Sequence, residues 1–338
     1  MRLPERLFLE ITKECNLKCR LCKLWEQKDP SGRLLLEDKI KFLLRLFNWL
    51  ENYRKNFRNH FCIILTGGEP FLYTKEILKI AEICKDNNIK CYVNSNGSLL
   101  ELTLNRIFNC GLSALTISID SHIPEIHDKL RNSPGLFSYL TDKIKRMVQW
   151  KKENNFLTKI CVQSILGSWN LNSILDHISF FYDLGIDGIM FQPIQYPFGL
   201  SIPENWHKKF LYFPKLSSEI ANSLEILSDF KKENDFIMHS REEIELWKLY
   251  FDNPEYLPKQ INPCKSYEQN LIVDTCGNVK FCFNKLIEPI NKIGNIKTHT
   301  IDELWKGKTA FQIRESMKTC NRACGVMACH IDTKLRVE

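Results

Sequence analysis

Apolar and polar positions along the first two hundred residues follow two periods. Short period-two runs rich in β-branched and aromatic residues predict strands over 7–11, 61–66, 90–94, 114–120, 159–165 and 188–193. Between them, apolar residues recur three and four positions apart, which predicts helices over 37–56, 74–88, 99–109, 137–154 and 171–184. In the first of these, Ile40, Leu43, Leu44, Phe47 and Leu50 form one stripe. Gly111 and Gly185 stand just after helices, where a left-handed cap residue is wanted. Successive strand–helix units of this kind predict a parallel sheet with crossover helices. Six strands are too few for a closed eight-stranded barrel. The expected fold is therefore α/β, a partial (β/α)6 TIM-like barrel with its site at the C-terminal ends of the strands.

The pattern changes after Pro193. A long helix is expected over 205–235, a second over 240–251, and then a hairpin whose strands, 271–274 and 279–283, flank the turn Cys276-Gly277-Asn278. A division near residue 236 separates a barrel core (1–235) from a small cysteine-rich domain (236–338).

Composition adds limits. Hydrophobic residues make up 44% and charged residues 26%, which suits a globular protein and excludes a disordered one. The net charge of +7 comes from 47 basic and 40 acidic residues mixed along the chain, so it demands no nucleic-acid partner. The longest apolar run, residues 61–65, falls far short of the roughly 18 residues of a membrane span. The first strand is entered without an apolar signal region, so a cytoplasmic, reducing location is expected. In that setting, clustered members of the 14 cysteines read as metal ligands or reactive groups rather than as disulfides.

Cys15, Cys19 and Cys22 share one loop directly after the first strand. Thiolates are the ligands of iron–sulfur clusters, and three of them leave one iron of four open; structural zinc or three unconnected thiols are the alternatives. After the second strand comes Thr66-Gly67-Gly68-Glu69-Pro70. Paired glycines let a ligand approach the backbone, and the Glu69 carboxylate can accept from a ligand ammonium. The plainer reading is a turn with Pro70 opening a helix. After the fourth strand, Ser118 and Asp120 lie on one face, suited to a ribose or simply to water. Cys62, Cys84, Cys91, Cys110 and Cys161 read as small buried hydrophobes. Lys143, Lys145, Arg146, Lys151 and Lys152 form either the solvated face of a helix or a nucleic-acid stripe. Trp25 packs over the cysteine loop or joins the core, and His330 is either a surface residue or a substitute ligand.

With CxxxCxxC after strand one, GGEP after strand two and SID after strand four, the chain resembles the radical S-adenosylmethionine (radical SAM) superfamily over most of residues 7–195. The resemblance implies that Cys15, Cys19 and Cys22 hold a [4Fe-4S] cluster whose fourth iron is chelated by S-adenosylmethionine. Reductive cleavage then gives a 5′-deoxyadenosyl radical that abstracts hydrogen from a substrate. It further implies that Gly67, Gly68 and Glu69 meet the methionine amino group, and that Ser118 and Asp120 meet the ribose. In His127-Asp128-Lys129-Leu130-Arg131, which resembles HDxxR, Arg131 pairs with the cosubstrate carboxylate. Ser164 faces the cosubstrate. Leu21 stands where many members carry an aromatic residue beside the adenine, so its backbone rather than a ring is left to bind the base.

Cys264, Cys276, Cys282, Cys320, Cys324 and Cys329 resemble the SPASM and twitch domains that bind auxiliary [4Fe-4S] clusters in some radical SAM enzymes. The full pattern carries a CxxC pair and a further downstream cysteine, both missing here. Six thiolates cannot fully ligate two clusters, so at least one auxiliary cluster is expected, on Cys264, Cys282 and two of Cys320, Cys324 and Cys329, with a second, under-ligated cluster as the alternative. Cys276, at the hairpin turn, is the spare thiol; a four-thiolate zinc site is the alternative for the region.

The leading expectation is thus a radical SAM oxidoreductase-type enzyme. Its substrate is a small hydroxylated metabolite or a peptide or protein side chain, and its electron donor resembles flavodoxin or ferredoxin. The first strand starts by Leu7, so no N-terminal winged-helix peptide-binding domain is expected, and a peptide would need a separate recognition protein. No catalytic base is assignable. An RNA-modifying radical SAM enzyme and a non-catalytic iron–sulfur or zinc scaffold are the competing readings.

Overall fold

The fold is that of a computed structural model of the 338-residue chain. It describes all residues except 1, 30, 54, 103, 198–202, 216–217, 256–263, 284–291, 321–323 and 331–338, and the backbone alone at 102, 104, 105 and 328. Strands β1 (Arg6–Thr12), β2 (Cys62–Gly67), β3 (Lys90–Ser95), β4 (Ala114–Ser118), β5 (Lys159–Leu166) and β6 (Gly188–Pro193) lie where the alternation predicts them. With β7 (Asn270–Val273), β8 (Asn278–Lys280) and β9 (Gly294–Asn295) they form one nine-stranded sheet ordered β6-β5-β4-β3-β2-β1-β7-β8-β9. β1 to β6 are parallel, β7 joins β1 in parallel with Ile272 opposite Phe8, and β8 and β9 return antiparallel. The cysteine-rich region therefore extends the same sheet beyond β1.

Twelve helices are described: α1 (Leu36–Tyr53), α2 (Thr74–Asp86), α3 (Leu104–Ile107), α4 (Pro124–Arg131), α5 (Leu136–Asn154), α6 (Ile174–Asp183), α7 (Trp206–Lys209), α8 (Ser218–Glu233), α9 (Arg241–Asp252), α10 (Ser266–Gln269), α11 (Ile301–Lys306) and α12 (Lys308–Met317). Side chains alternate along the strands. Leu7, Leu9, Ile11, Ile63, Leu65, Val93, Leu115, Ile117, Ile160 and Val162 are fully buried in the core. Their neighbours Phe8, Glu10, Thr66, Tyr92, Asn94, Ser118, Gln163 and Gln192 are half-buried on the opposite, concave face. That face mixes these polar groups with Phe8, Ile64, Ile165 and Met190, whereas the core face is almost entirely apolar. Among the described residues no helix is long and apolar enough to cross a membrane.

Several expectations need correction. The buried face of α1 runs through Lys39, Phe42, Leu43, Leu46, Phe47 and Leu50, leaving Leu44 47% exposed and Ile40 half-buried. Lys39 can occupy a core position because its ammonium pairs with Glu76, which Arg33 also contacts. The helix expected over 99–109 is instead a 3-10 turn at Leu100–Leu102 followed by α3. The helix expected over 205–235 splits into α7 and α8. Pro214 has no N–H to continue the ladder, and Phe213 closes a turn onto Phe210 (2.9 Å). Lys143 is buried and paired with Glu101, and Lys151 is paired with Asp187, so they do not continue a basic stripe. Cys84, Cys91, Cys110 and Cys161 are buried as expected, but Cys62 is only half-buried. α4 was not anticipated. Its marks are Pro124 in the first turn and Asn132 in the left-handed region (φ 52°) at its end.

Past β6, the segment 236–238 covers the open sheet edge. Ile189 donates to the Phe236 carbonyl (2.8 Å), and Met238 donates to Ile189 (3.0 Å).

Candidate active site and auxiliary cysteine group

A bulge shifts the β1–β2 register between Glu10 and Thr12, and the chain then turns into the cysteine loop. Gly67 (φ 132°) and Gly68 receive this turn. A Cβ on Gly67 would sit 2.2 Å from the Thr12 carbonyl oxygen, and one on Gly68 would sit 2.0 Å from that of Glu14. The N–H groups of Gly68 and Glu69 donate to those same carbonyls (2.7 and 2.8 Å). The protein's own backbone thus accounts for both glycines.

Glu69 is fully buried and accepts from Phe71 N (2.9 Å), Ser95 Oγ (2.9 Å) and Asn96 N (2.8 Å). Burial pushes its pKa up, against the pull of these three donors. Three of its roughly four acceptor positions are filled. Asn96 in turn reaches the cysteine loop, its Nδ2 lying 3.7 Å from Cys15 Sγ and 3.1 Å from Asn16 Oδ1.

The rest of the loop is clamped from the other side. Arg20 N donates to the Leu130 carbonyl and Arg20 Nε to the Lys129 carbonyl, both at 2.9 Å, which docks the loop on the end of α4. Leu24 N donates to Cys22 Sγ (3.4 Å), and Trp25 Nε1 donates to the Cys22 carbonyl (2.8 Å). Trp25 therefore braces the loop, with Lys18 and Lys23 over its ring. Leu21 is half-buried. Burial raises the Cys15 thiol to about 11 and raises Cys22 as well. Empty, these groups hold protons; a metal that displaces those protons supplies the missing counter-charge.

Arg131 projects from the last turn of α4 with its side chain 13% exposed. Nη2 lies 2.8 Å from Asp120 Oδ2, Cys19 and Cys22 are near enough to act on the guanidinium, and Nε is buried without a partner among the described residues. Asp120 accepts from Ile165 N through Oδ1 (3.1 Å), and its own N–H donates to His127 Nδ1 (3.2 Å). Burial holds the His127 pKa down at about 3, so the ring is neutral and accepts at Nδ1. Ser118 is half-buried beside this group. Ser164 differs from its expected role. It is fully buried on the core face, its hydroxyl lies against the Ile119 carbonyl and is 2.8 Å from His177 Nε2, and no donor is left for a ligand.

The distal cysteines gather from separate elements. Cys264 lies beside Cys329 and within reach of Cys324, and these thiols together with burial push its pKa up. Burial raises Cys324 to about 12, with Cys282, Cys329 and Cys320 acting on it in turn. Lys265 N donates to the Cys329 carbonyl (2.6 Å), tying the start of this region to its end. Cys276 is at the β7–β8 turn, where its carbonyl accepts from Asn295 Nδ2 (3.0 Å). Behind the group, Arg314 is buried, donates to the Tyr267 carbonyl (3.1 Å) and to that of Trp305, and lies 4.4 Å from the ring centres of both Phe281 and Trp305. Among the described residues no three His, Cys, Asp or Glu side chains converge tightly enough to hold a single metal ion.

Comparison with known proteins decides the family. A profile described as the Radical SAM superfamily matches residues 9–181, just over half of the chain. The chain belongs to the radical SAM superfamily. A second profile, SPASM, an iron–sulfur cluster-binding domain, matches residues 264–330. As a radical SAM enzyme it uses a 4Fe–4S cluster and S-adenosylmethionine, with auxiliary iron–sulfur in the SPASM region. The donor set fits: three clustered thiols lie at the end of β1, with a buried guanidinium N–H beside them awaiting an acceptor. A probable GTP 3′,8-cyclase of Methanocaldococcus jannaschii is 24% identical over 324 residues, covering 91% of this chain and 96% of its own length. An AdoMet-dependent heme synthase of Oleidesulfovibrio alaskensis is 28% identical over 129 residues, 38% of this chain and only 31% of its own. Among solved structures, Streptococcus suis SuiB bound to S-adenosylmethionine has a TM-score of 0.66 at 14% identity, covering 93% of this chain and 68% of that one. Native anSMEcpe with bound AdoMet and Cp18Cys peptide has a TM-score of 0.63 at 19% identity, covering 94% and 84%. These likenesses establish the fold.

Proposed function

We propose that this radical SAM enzyme acts on a small, hydroxylated, nucleotide- or sugar-like metabolite held against the concave face of the sheet. The polar positions interspersed along that face carry the reading. Glu10, Thr66, Tyr92, Asn94, Ser118, Gln163 and Gln192 present half-buried hydrogen-bonding groups from β1 to β6, above which the cysteine loop opens. The near full-length match to a GTP 3′,8-cyclase points the same way. Cys15, Cys19 and Cys22 would hold the cluster. With S-adenosylmethionine it supplies one-electron hydrogen abstraction. The remaining acceptor of Glu69 would receive the methionine ammonium, the backbones at Gly67, Gly68 and Leu21 would border the cosubstrate, and the Ser118 hydroxyl would meet its ribose.

Cys264, Cys282, Cys324 and Cys329 form the auxiliary set, with Cys320 at its margin, and the division into core and auxiliary domain falls near residue 236. Reducing equivalents come from a flavodoxin- or ferredoxin-like donor. The test is 5′-deoxyadenosine release by anaerobically reconstituted protein with dithionite, in the presence of nucleotide, sugar or peptide pools. Stimulation by nucleotides or sugars is expected. Stimulation by peptides alone would replace this reading with the second one, a peptide substrate, to which the fold likeness with peptide-bound anSMEcpe points.

A further inference from the structure

The arginine at the end of α4 has more partners than a simple carboxylate clamp requires. Its guanidinium is pinned at Nη2 by Asp120 (2.8 Å), whose other oxygen is fixed by the Ile165 N–H (3.1 Å) and whose own N–H is held by a neutral His127 (3.2 Å). The cysteine loop is bolted to the same turn by the two Arg20 bonds to Lys129 and Leu130, the residues just before Arg131. This geometry holds the cation within electrostatic reach of Cys19 and Cys22 before any cosubstrate arrives. It also leaves Nε–H buried with no acceptor among the described residues.

We propose that Arg131 is a positioning and tuning residue for the cluster itself, donating to the Cys19 ligand and setting the potential at which the cluster takes its electron, with Asp120 as the counter-charge that limits this effect. The inference rests on the radical SAM reading of Cys15, Cys19 and Cys22. Reduction adds one negative charge to the cluster. A fixed cation and an N–H donor at a ligand sulfur stabilise the reduced form, and a carboxylate close behind the cation offsets part of that stabilisation. The sequence resemblance instead gives Arg131 to the cosubstrate carboxylate and Asp120 to the ribose. The two assignments differ in what happens without S-adenosylmethionine.

The test is an EPR-monitored measurement of the cluster midpoint in the anaerobically reconstituted full chain, with and without S-adenosylmethionine, for wild type, Arg131→Met, Arg131→Lys and Asp120→Asn. Without S-adenosylmethionine, Arg131→Met should move the midpoint to more negative potential, by about tenfold in the reduced-to-oxidised ratio, ~59 mV for a one-electron couple. Arg131→Lys should recover part of this. Asp120→Asn, which keeps the shape of the carboxylate, should move the midpoint the opposite way. A purely structural role would not produce shifts of opposite sign. Midpoints that match wild type without S-adenosylmethionine and separate only when it is bound would overturn the proposal in favour of a carboxylate clamp. Shifts of the same sign in Arg131→Met and Asp120→Asn would also overturn it. A wild-type protein that forms no reducible four-iron cluster would fail at the earlier step, the radical SAM reading, and the iron content and EPR signal separate that outcome from the other two.

Discussion

Two arginines, one near each cysteine group, are both largely withdrawn from solvent, yet they are held by different forces. Arg131 is ion-paired to Asp120, and with Cys19 beside it these partners overcome the cost of burial and keep its pKa above the ordinary value. Arg314 contacts carbonyls and two aromatic faces, with its Nη2 unpartnered, and burial pulls its pKa down to about 10, still far above neutrality. The first is an arrangement of charges next to the proposed cluster ligands. The second is a packing element that holds α10, α11 and the strand-end residue Phe281 together. The cysteine groups differ in parallel. The amino-terminal three have a cation at hand, whereas Cys264 and Cys324 are influenced by burial and by other thiols. An open site that admits a cosubstrate and a thiol-lined one that encloses a cluster are the corresponding chemical forms.

Removing ligands should separate the two groups most sharply. Replacing Cys15, Cys19 and Cys22 together by Ala should abolish 5′-deoxyadenosine formation and remove about four of about eight irons per chain. Cys324→Ala should lose a similar share of iron while dithionite-driven cleavage of S-adenosylmethionine persists. Iron assay and product chromatography read both, and loss of cleavage in Cys324→Ala would mean that the groups are not independent.

Gly68→Ala comes next. Its Cβ would collide with a backbone carbonyl rather than a flexible side chain, so the cysteine loop must move. A destabilisation of about 1–3 kcal/mol is expected together with poor iron incorporation, measured by thermal melts and iron assay. Arg314→Met should cost about 2–4 kcal/mol, because the Tyr267 and Trp305 carbonyls lose their donor in a buried setting. It should nevertheless leave dithionite-driven cleavage intact at a temperature where the variant is folded. A change in the midpoint of the amino-terminal cluster in this variant would erase the contrast between the two arginines.

The barrel was largely legible from sequence because each strand carries its own alternation and each of its longer helices its own stripe. What escaped detection was set by tertiary pairing. Lys39 sits in the core of α1 because Glu76 waits on α2, and no periodicity in α1 alone reveals that partner. Ser164 looked like a ligand-facing hydroxyl, yet it is satisfied by Ile119 and by a histidine thirteen residues on. The cysteine motif was readable from its spacing, whereas the clamp of Arg20 on Lys129 and Leu130 joins segments over a hundred residues apart. Gly67 and Gly68 were read as making room for a ligand; the nearest atoms are those of residues 12–14.

The smallest expected effect on the two cysteine groups comes from a site away from both, which serves as a control. Glu76 has its pKa lowered, with Arg33 and Lys39 outweighing the effect of burial. A carboxylate depressed in the folded state contributes stability that is fully present above its unfolded pKa, near 4.5, and is lost as pH falls through the lower folded value. Glu76→Gln should therefore flatten the acid limb of stability below about pH 4.5, measured by denaturant melts across pH, without altering either cluster.

The most direct test of the whole account is 5′-deoxyadenosine production by oxygen-protected, reconstituted protein given dithionite and S-adenosylmethionine, compared with a Cys19→Ala variant. The account predicts product from the wild type and none from the variant. Wild-type protein that carries a reduced four-iron cluster and still leaves S-adenosylmethionine intact would contradict it.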